Sequence, residues 1–287
     1  MSDRWKVALS FCFIFSFASI DSSIAPMVSE LSRHFGSPLD RTLWLLSACT
    51  AGIVAGILLG PSLTSSFDCR KLFCGAVLGL ALSHLLFVSA PGFGAALVWR
   101  AVFGLSCGLA ASLLWWLTFH GVGREWYHAM VVVLMSARPL ATALGVPGAG
   151  LAADAFGWKA SFLGLGLLMT ASGLGLCLTL GADRSPKKAF SPGRVLGEYR
   201  EALALPHAAA FYAGMTINRM CYFGFYSLTG IWFLRHYGLG LAAISGCLLV
   251  IGAAEAAVNF SVPAMLRRWG HDRPFTLSLA ASALLLP

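Results

Sequence analysis

Five ionisable side chains lie inside long apolar runs of this 287-residue sequence: Asp21, Arg100, Arg138, Arg219 and Glu255. In hydrocarbon each costs about 2.5–3.5 kcal/mol on insertion scales unless it faces protein or water, so charges kept there mark ion pairs, proton sites or ligand sites. Counted from their helix ends, Asp21 and Arg100 both fall in the outer half of the first group of apolar runs, where they can pair. Such a pair is either a static structural tie, or one that breaks when Asp21 takes a proton and so couples proton movement to a change of shape. Arg138 and Arg219 fall near the middle of their runs, and three arginines against two acids leave a net charge of +1. That excess favours an anionic or oxygen-rich ligand, with pairing of Arg138 to Glu255 or to backbone carbonyls equally open. Thr216, Asn218, Tyr222 and Tyr226 surround Arg219 in sequence and offer hydrogen-bonding and stacking groups to a cavity wall, or packing to lipid.

The medium that gives these charges meaning follows from composition. Hydrophobic residues make up 58% of the chain and charged residues 11%, against the usual quarter in soluble domains. Mean hydropathy is +0.77. An all-α polytopic membrane protein is expected. Runs that meet the roughly 20-residue crossing length fall at about 7–28, 43–63, 73–90, 94–117, 129–152, 160–181, 210–233 and 240–263. A ninth starts near Phe275 and reaches Pro287 after only about 13 residues, short of a crossing, so the sequence is expected to end inside a membrane helix. Arg4 and Lys6 precede the first run, but no small-x-small cleavage site closes it, and it reads as an uncleaved helix. The eight cysteines form no CxxC pair and sit mostly in apolar runs, as small buried hydrophobes rather than disulfides or metal ligands.

Basic residues fix the orientation. With the N-terminus inside, the inner segments hold Arg4, Lys6, Arg70, Lys71, Arg124, Arg184, Lys187, Lys188, Arg194, Arg200, Arg267, Arg268 and Arg273, and the outer ones only Arg33, Arg41, Lys159 and Arg235. This asymmetry places the N-terminus in the cytoplasm, and basic loops facing anionic lipid account for the net charge of +8 without a nucleic-acid partner. One inner segment is long. Residues 182–209 divide the chain into a six-helix bundle at 1–181 and a partial second bundle at 210–287. The inner loops Pro61–Phe73 and Pro263–Phe275 both run proline, aliphatic, polar, aromatic, basic, as a duplicated unit requires.

Four segments carry a family resemblance. The first helix reads IDSSIAPMVSEL then HFG, an acid, a proline and a short outer helix. The loop after the second helix keeps Leu63, Arg70 and Lys71 of a glycine-x-leucine-x-Asp-Arg-x-Gly-Arg-Arg signature, but has Ser65 for the acid, Ser66 for the arginine and Asp68 for the second glycine. The fourth helix holds Arg100, Gly104 and Gly108 in an arginine-x-x-x-glycine pattern. The stretch Leu144–Phe162 holds Gly145, Pro147, Gly148 and Gly150, then Phe156-Gly157-Trp158-Lys159. In this order they resemble the major facilitator superfamily over the whole chain, and the last resembles the fifth-helix signature of its drug- and sugar-efflux members.

The resemblance implies an inner-membrane secondary transporter. Proton-coupled efflux of a small drug, sugar or metabolite is expected, with Asp21 and Arg100 as the proton-coupling pair. Arg138, Arg219, Asn218, Tyr222 and Glu255 are the expected substrate contacts. Gly145, Pro147, Gly148 and Gly150 should form a gate at the fifth helix, and Arg70 and Lys71 an inner gate whose charge lock the serines weaken. Trp158 and Lys159 should anchor the outer turn at headgroup level. Gly52, Gly56 and Gly60 share one face of the second helix and Gly104 and Gly108 one of the fourth, letting helices approach closely. A proton-coupled symporter of an organic anion, favoured by the arginines, and a truncated, transport-incompetent fragment are the alternatives. The seven histidines show neither HxxxH nor HExxH spacing, and no Gly-x-Ser-x-Gly or phosphate loop occurs, so no enzyme, metal site or cofactor is expected. Protons, a small-molecule substrate and the lipid bilayer are the expected partners.

Overall fold

The structure, a computed structural model, describes residues 3–181, 187, 189–270, 273–274, 276–277 and 280, with the side chains of Arg219, Tyr226 and some other positions in the later helices outside the described residues. Apolar runs in this sequence become helices because a backbone out of water must satisfy its own hydrogen bonds. Helix α1 is Asp3–Ser22, followed at its C-terminal end by α2, Val28–Phe35, and the single turn α3, Leu39–Thr42. Then come α4, Trp44–Ser66; α5, Cys69–Val88; α6, Phe93–His120; and α7, Arg124–Leu140. A π-turn at Ala141–Gly145 leads into α8, Val146–Phe156, and Gly157 turns the chain into α9, Trp158–Thr179. The linker helix α10 is Pro192–Ala204, and α11, Ala208–Tyr237, and α12, Leu241–Trp269, follow.

Among the described residues six helical spans are long and apolar enough to cross a membrane: Asp3–Ser22, Leu39–Ser66, Cys69–Val88, Phe93–His120, Arg124–Phe156 and Trp158–Thr179. Helices α11 and α12 run 30 and 29 residues, over the expected seventh and eighth runs. Most of the expected ninth run lies outside the described residues. The first helix stops short of the expected residue 28. Pro26 has no N–H to donate, and Ser23–Met27 form turns before α2. Gly157 sits at φ +85°, a conformation that side chains resist, so the turn between α8 and α9 falls there.

The tightest seam joins α4 and α6. A Cβ on Gly52 would run into the Ala101 carbonyl oxygen, one on Gly56 into that of Leu105, one on Gly104 into that of Cys49, and one on Gly108 into that of Ile53. The two helices thus meet backbone to backbone, which only glycine permits at these heights. The core beside them is filled by Phe13, Phe17, Phe73, Phe87, Phe103 and Phe162.

The outer turn departs from the expected anchor. Trp158 is only 7% exposed and packs edge-on against His34 and Phe162, with Phe35 and Phe87 alongside. It closes the α2 end of the core, and Lys159 lies over its ring at 5.6 Å. His34, in α2, is pushed below the ordinary histidine range by burial in this cluster and by the nearby Lys159.

The glycine seam predicts that Gly104→Ala costs about 1–3 kcal/mol through overpacking. Gly75→Ala, whose added methyl meets nothing within 4 Å, is expected to be neutral or stabilising. Thermal unfolding of both variants in detergent checks the contrast; equal melting temperatures would remove the seam from the argument.

Candidate functional site

Asp21 lies in the last turn of α1, where the helix is still inside the bundle. Its two carboxylate oxygens are used separately. Oδ1 accepts from Arg100 Nη2 at 3.3 Å, and Oδ2 accepts from Arg138 Nη2 at 2.9 Å. One anion therefore serves two cations, and α1, α6 and α7 converge on it.

The two arginines are not equivalent. The Arg100 side chain is 1% exposed, against 31% for Arg138 and 10% for Asp21. Arg100 is also covered by the rings of Phe87, 5.5 Å from the guanidinium carbon, and Phe103, at 5.2 Å. Cation–π contact offsets part of the lost hydration there. Cys49 on α4, whose carbonyl oxygen faces Gly104 in the glycine seam, lies close to Asp21.

Arg138 connects this cluster to the later helices. Thr142, one turn on, donates to the Arg138 carbonyl oxygen at 3.3 Å and lies within hydrogen-bond reach of Tyr222 on α11. Tyr222 in turn donates to Glu255 Oε1 on α12 at 3.0 Å, and Arg138 is within electrostatic reach of that phenol. A polar chain thus runs Arg100, Asp21, Arg138, Thr142, Tyr222, Glu255 across five α-helices and the π-turn. The structure brings together the expected pair and three of the expected substrate contacts, with Arg138 seated on Asp21. Asn218 is exposed on α11, and Thr216 donates to the Tyr212 carbonyl oxygen at 2.8 Å. The side chain of Arg219 lies outside the described residues. Thr142 and Cys49 were not singled out from sequence; the i, i+4 spacing of Arg138 and Thr142 was the available signal for one of them.

The expected gate residues line a junction between α1, α8 and α12. Proline cannot donate to the carbonyl four residues back. Pro139 and Pro147 bracket the π-turn, across which Val146 N–H bonds the Ala141 carbonyl oxygen. A Cβ on Gly145 would strike Ser19 Oγ, one on Gly150 would strike Ser245 Oγ, and Gly252 on α12 abuts Ala143. Pro147 is buried and Gly148 opens on an apolar groove of about 410 Å³ shared with Phe15 and Phe156. In the turn between α4 and α5 Asp68, in the departed signature position, caps α5 by accepting from the Lys71 N–H at 3.1 Å. Arg70 and Lys71 are exposed, and linker Lys187 donates to the Thr64 carbonyl oxygen at 3.2 Å. Neither this groove nor a second apolar one of about 390 Å³ along α11 is lined by the charged residues. The polar chain is the candidate site on its chemistry, not on cavity size.

The model of the Major Facilitator Superfamily matches residues 9–286. The chain belongs to that superfamily. It is 21% identical over 262 residues to the uncharacterized MFS-type transporter YceJ of Bacillus subtilis (strain 168), covering 86% of this chain and 63% of that one. It is 24% identical over 264 residues to a chloramphenicol resistance protein of Streptomyces lividans, covering 92% and 66%. The chain thus spans just under two thirds of the length of these two relatives. A crystal structure of the human organic anion transporter MFSD10 (TETRAN) shares the fold with a TM-score of 0.62 at 13% identity, over 90% of this chain and 71% of that one.

Because the Arg100 side chain is 1% exposed, Asp21→Ala is expected to cost about 3–5 kcal/mol by taking the anion from a buried cation. Arg138→Ala should cost only roughly 1 kcal/mol, since Asp21 keeps Arg100 and the lost side chain is part-exposed. Unfolding midpoints in detergent measure both, and equal costs would contradict the shared-anion arrangement.

Proposed function

We propose that this superfamily member is a secondary transporter of the inner membrane, driven by protons and exporting a small organic molecule. The observation that carries the reading is the single carboxylate of Asp21 held by two arginines of unequal burial. Protonating it cancels the charge both arginines face. Arg100, enclosed by aromatic rings, has nowhere to go. Arg138, part-exposed and within electrostatic reach of Tyr222, can shift its contacts along α11–α12, so a proton gained on α1 becomes a changed contact between α7 and α11–α12. Asp21 and Arg100 act as the proton-coupling pair on this reading, and Arg138, Arg219, Asn218, Tyr222 and Glu255 as the substrate wall.

The division of labour along the chain follows. Residues 1–181 form the first bundle, 182–209 the cytoplasmic linker and 210–287 part of the second bundle, with the N-terminus cytoplasmic as the basic loops require. Gly145, Pro147, Gly148 and Gly150 shape the gate where α8 meets α1 and α12, and Arg70 with Lys71 lies at the inner end. Export is favoured by similarity to a protein named for chloramphenicol resistance and by the glycine–proline segment of the fifth span. A second reading, symport of an organic anion, is favoured by the part-exposed guanidinium of Arg138.

Inverted membrane vesicles carrying the full chain separate the readings. With chloramphenicol as probe, a proton exporter dissipates part of an imposed pH gradient, and Asp21→Asn reduces that response to background. An unchanged response in Asp21→Asn would end the assignment of Asp21. With salicylate as an anionic probe, the second reading expects Arg138→Gln to weaken binding by roughly 10- to 100-fold, the value of a charged hydrogen bond. Equal losses for salicylate and chloramphenicol would make Arg138 structural.

A further inference from the structure

Arg100 spends only part of its hydrogen-bonding capacity on Asp21. Nη2 makes that bond, while Nε and Nη1 are buried without a partner among the described residues. A guanidinium only donates, so what it lacks is an acceptor. His84 on α5 is 2% exposed and has the opposite deficit. Its Nε2 lies 2.9 Å from the Phe162 carbonyl oxygen, and its Nδ1 is buried without a partner. A carbonyl oxygen only accepts, so Nε2 carries the proton and Nδ1 presents a lone pair.

Both side chains pack against the same ring. The Phe103 ring lies 5.2 Å from the Arg100 cation and 5.8 Å from the His84 ring. Phe87, the other ring over Arg100, is one turn from His84 on the same helix. His84 is fixed by stacking on Phe162, centroids 5.8 Å apart and planes 8° apart, and by Gly166, whose missing Cβ leaves the space the ring fills. Charged or titratable groups around Arg100 are Asp21 on α1, Cys49 on α4, His84 on α5, Cys107 on α6 and Arg138 on α7; α9 presents Phe162 and Gly166.

We propose that His84 is a positioning residue for Arg100: its Nδ1 lone pair takes up, through one bridging water, the N–H groups that Asp21 leaves over, and holds the cation while Asp21 is protonated. Two donors and one acceptor meet the partner count of a buried water. The inference rests on Asp21 as the proton carrier. Protonating Asp21 removes the anion facing Arg100, so a second acceptor counts most in the protonated state. Deleting that acceptor raises the protonated state relative to the ionised one, and Asp21 then takes its proton only at lower pH.

Infrared titration of the full chain in lipid nanodiscs reads this without a substrate, following the carboxylic acid C=O band that Asp21→Asn removes. His84→Asn keeps a carbonyl oxygen near the Nδ1 position, and His84→Gln keeps an amide N–H near the Nε2 position. The midpoint is expected to fall by about one pH unit in His84→Gln and to stay near wild type in His84→Asn. The reverse pattern, or no shift in His84→Gln, overturns the proposal in favour of a purely structural bond to Phe162. Should neither variant fold, nitrogen-15 NMR of histidine-labelled wild type decides, through the ring signal that does not follow bulk pH. A protonated Nε2 with a hydrogen-bonded Nδ1 is expected, and a protonated Nδ1 overturns it. If the wild type shows no band sensitive to Asp21→Asn, the proton-carrier reading fails by itself. The Nδ1 signal, compared with that of Arg100→Leu, still decides whether His84 meets Arg100.

Discussion

One carboxylate shared between two guanidinium groups is the interaction on which the arrangement of this bundle depends. In water the Asp21 contacts would be minor, each arginine being as well served by solvent. In the apolar interior the alternatives are gone: Arg100 is enclosed by Phe87 and Phe103, and an unpaired cation there is several kcal/mol worse than a paired one. The pairing therefore fixes the depth and rotation of three helices at once, because α1, α6 and α7 must all present their residue at one height. The glycine seam makes this possible. With Gly52, Gly56, Gly104 and Gly108 letting α4 and α6 touch through their backbones, Arg100 is carried on a helix held without play.

A second kind of contact lies between α8 and its neighbours, and its chemistry differs. At the α4–α6 seam, glycine meets backbone. Around the π-turn, Gly145 meets the Ser19 hydroxyl and Gly150 meets the Ser245 hydroxyl. Ser19 can turn its hydroxyl to its own helix, and it does, donating to the Phe15 carbonyl oxygen. At these two glycines no hydrogen bond crosses among the described residues, so the contacts hold helices close without locking their register; α8 is tied instead to α9, where Ser161 donates to the Ala149 carbonyl oxygen at 2.8 Å. The two prolines bracketing the turn also leave carbonyls on α7 and the π-turn short of their usual helical donors. The fifth span thus carries Arg138 on a segment less constrained than α6, on the side where the polar chain continues to Tyr222 and Glu255.

Much of this was legible before any coordinates. Hydrocarbon tolerates so few solutions that composition and run length place the spans, and the rarity of charge inside them picks out Asp21, Arg100, Arg138 and Glu255 without knowledge of the fold. The pairing of Asp21 with Arg100 was open to counting, because both lie at a similar depth. Arg138 on the same carboxylate was not. Depth along a helix is written in sequence, but which face of α7 turns to α1 depends on packing, and the π-turn shifts the register between Arg138 and the gate glycines. Trp158 failed for a related reason: a tryptophan beside a lysine at a span end reads as an interface anchor, and only the arrival of His34 and Phe35 from α2 shows that the ring is covered. His84 looked inert because its meaning lies in an unused lone pair, which no spacing records.

The unequal burial of the two arginines decides what a proton on Asp21 could accomplish. Were both buried like Arg100, neutralising the carboxylate would strand two cations, and the protonated state would be too costly to visit. Were both exposed like Arg138, water would replace the lost anion and nothing would need to move. On the proposed reading, one of each gives a protonated state that is reachable, because the held cation keeps its aromatic cover, and consequential, because the other lies within electrostatic reach of Tyr222 across the interface. Coupling of this kind requires the two cations to sit on different helices. A charge and its release on one rigid helix would change a local contact, whereas Arg100 on the glycine seam and Arg138 on the broken span let the same event bear on the fixed and the movable side of the bundle.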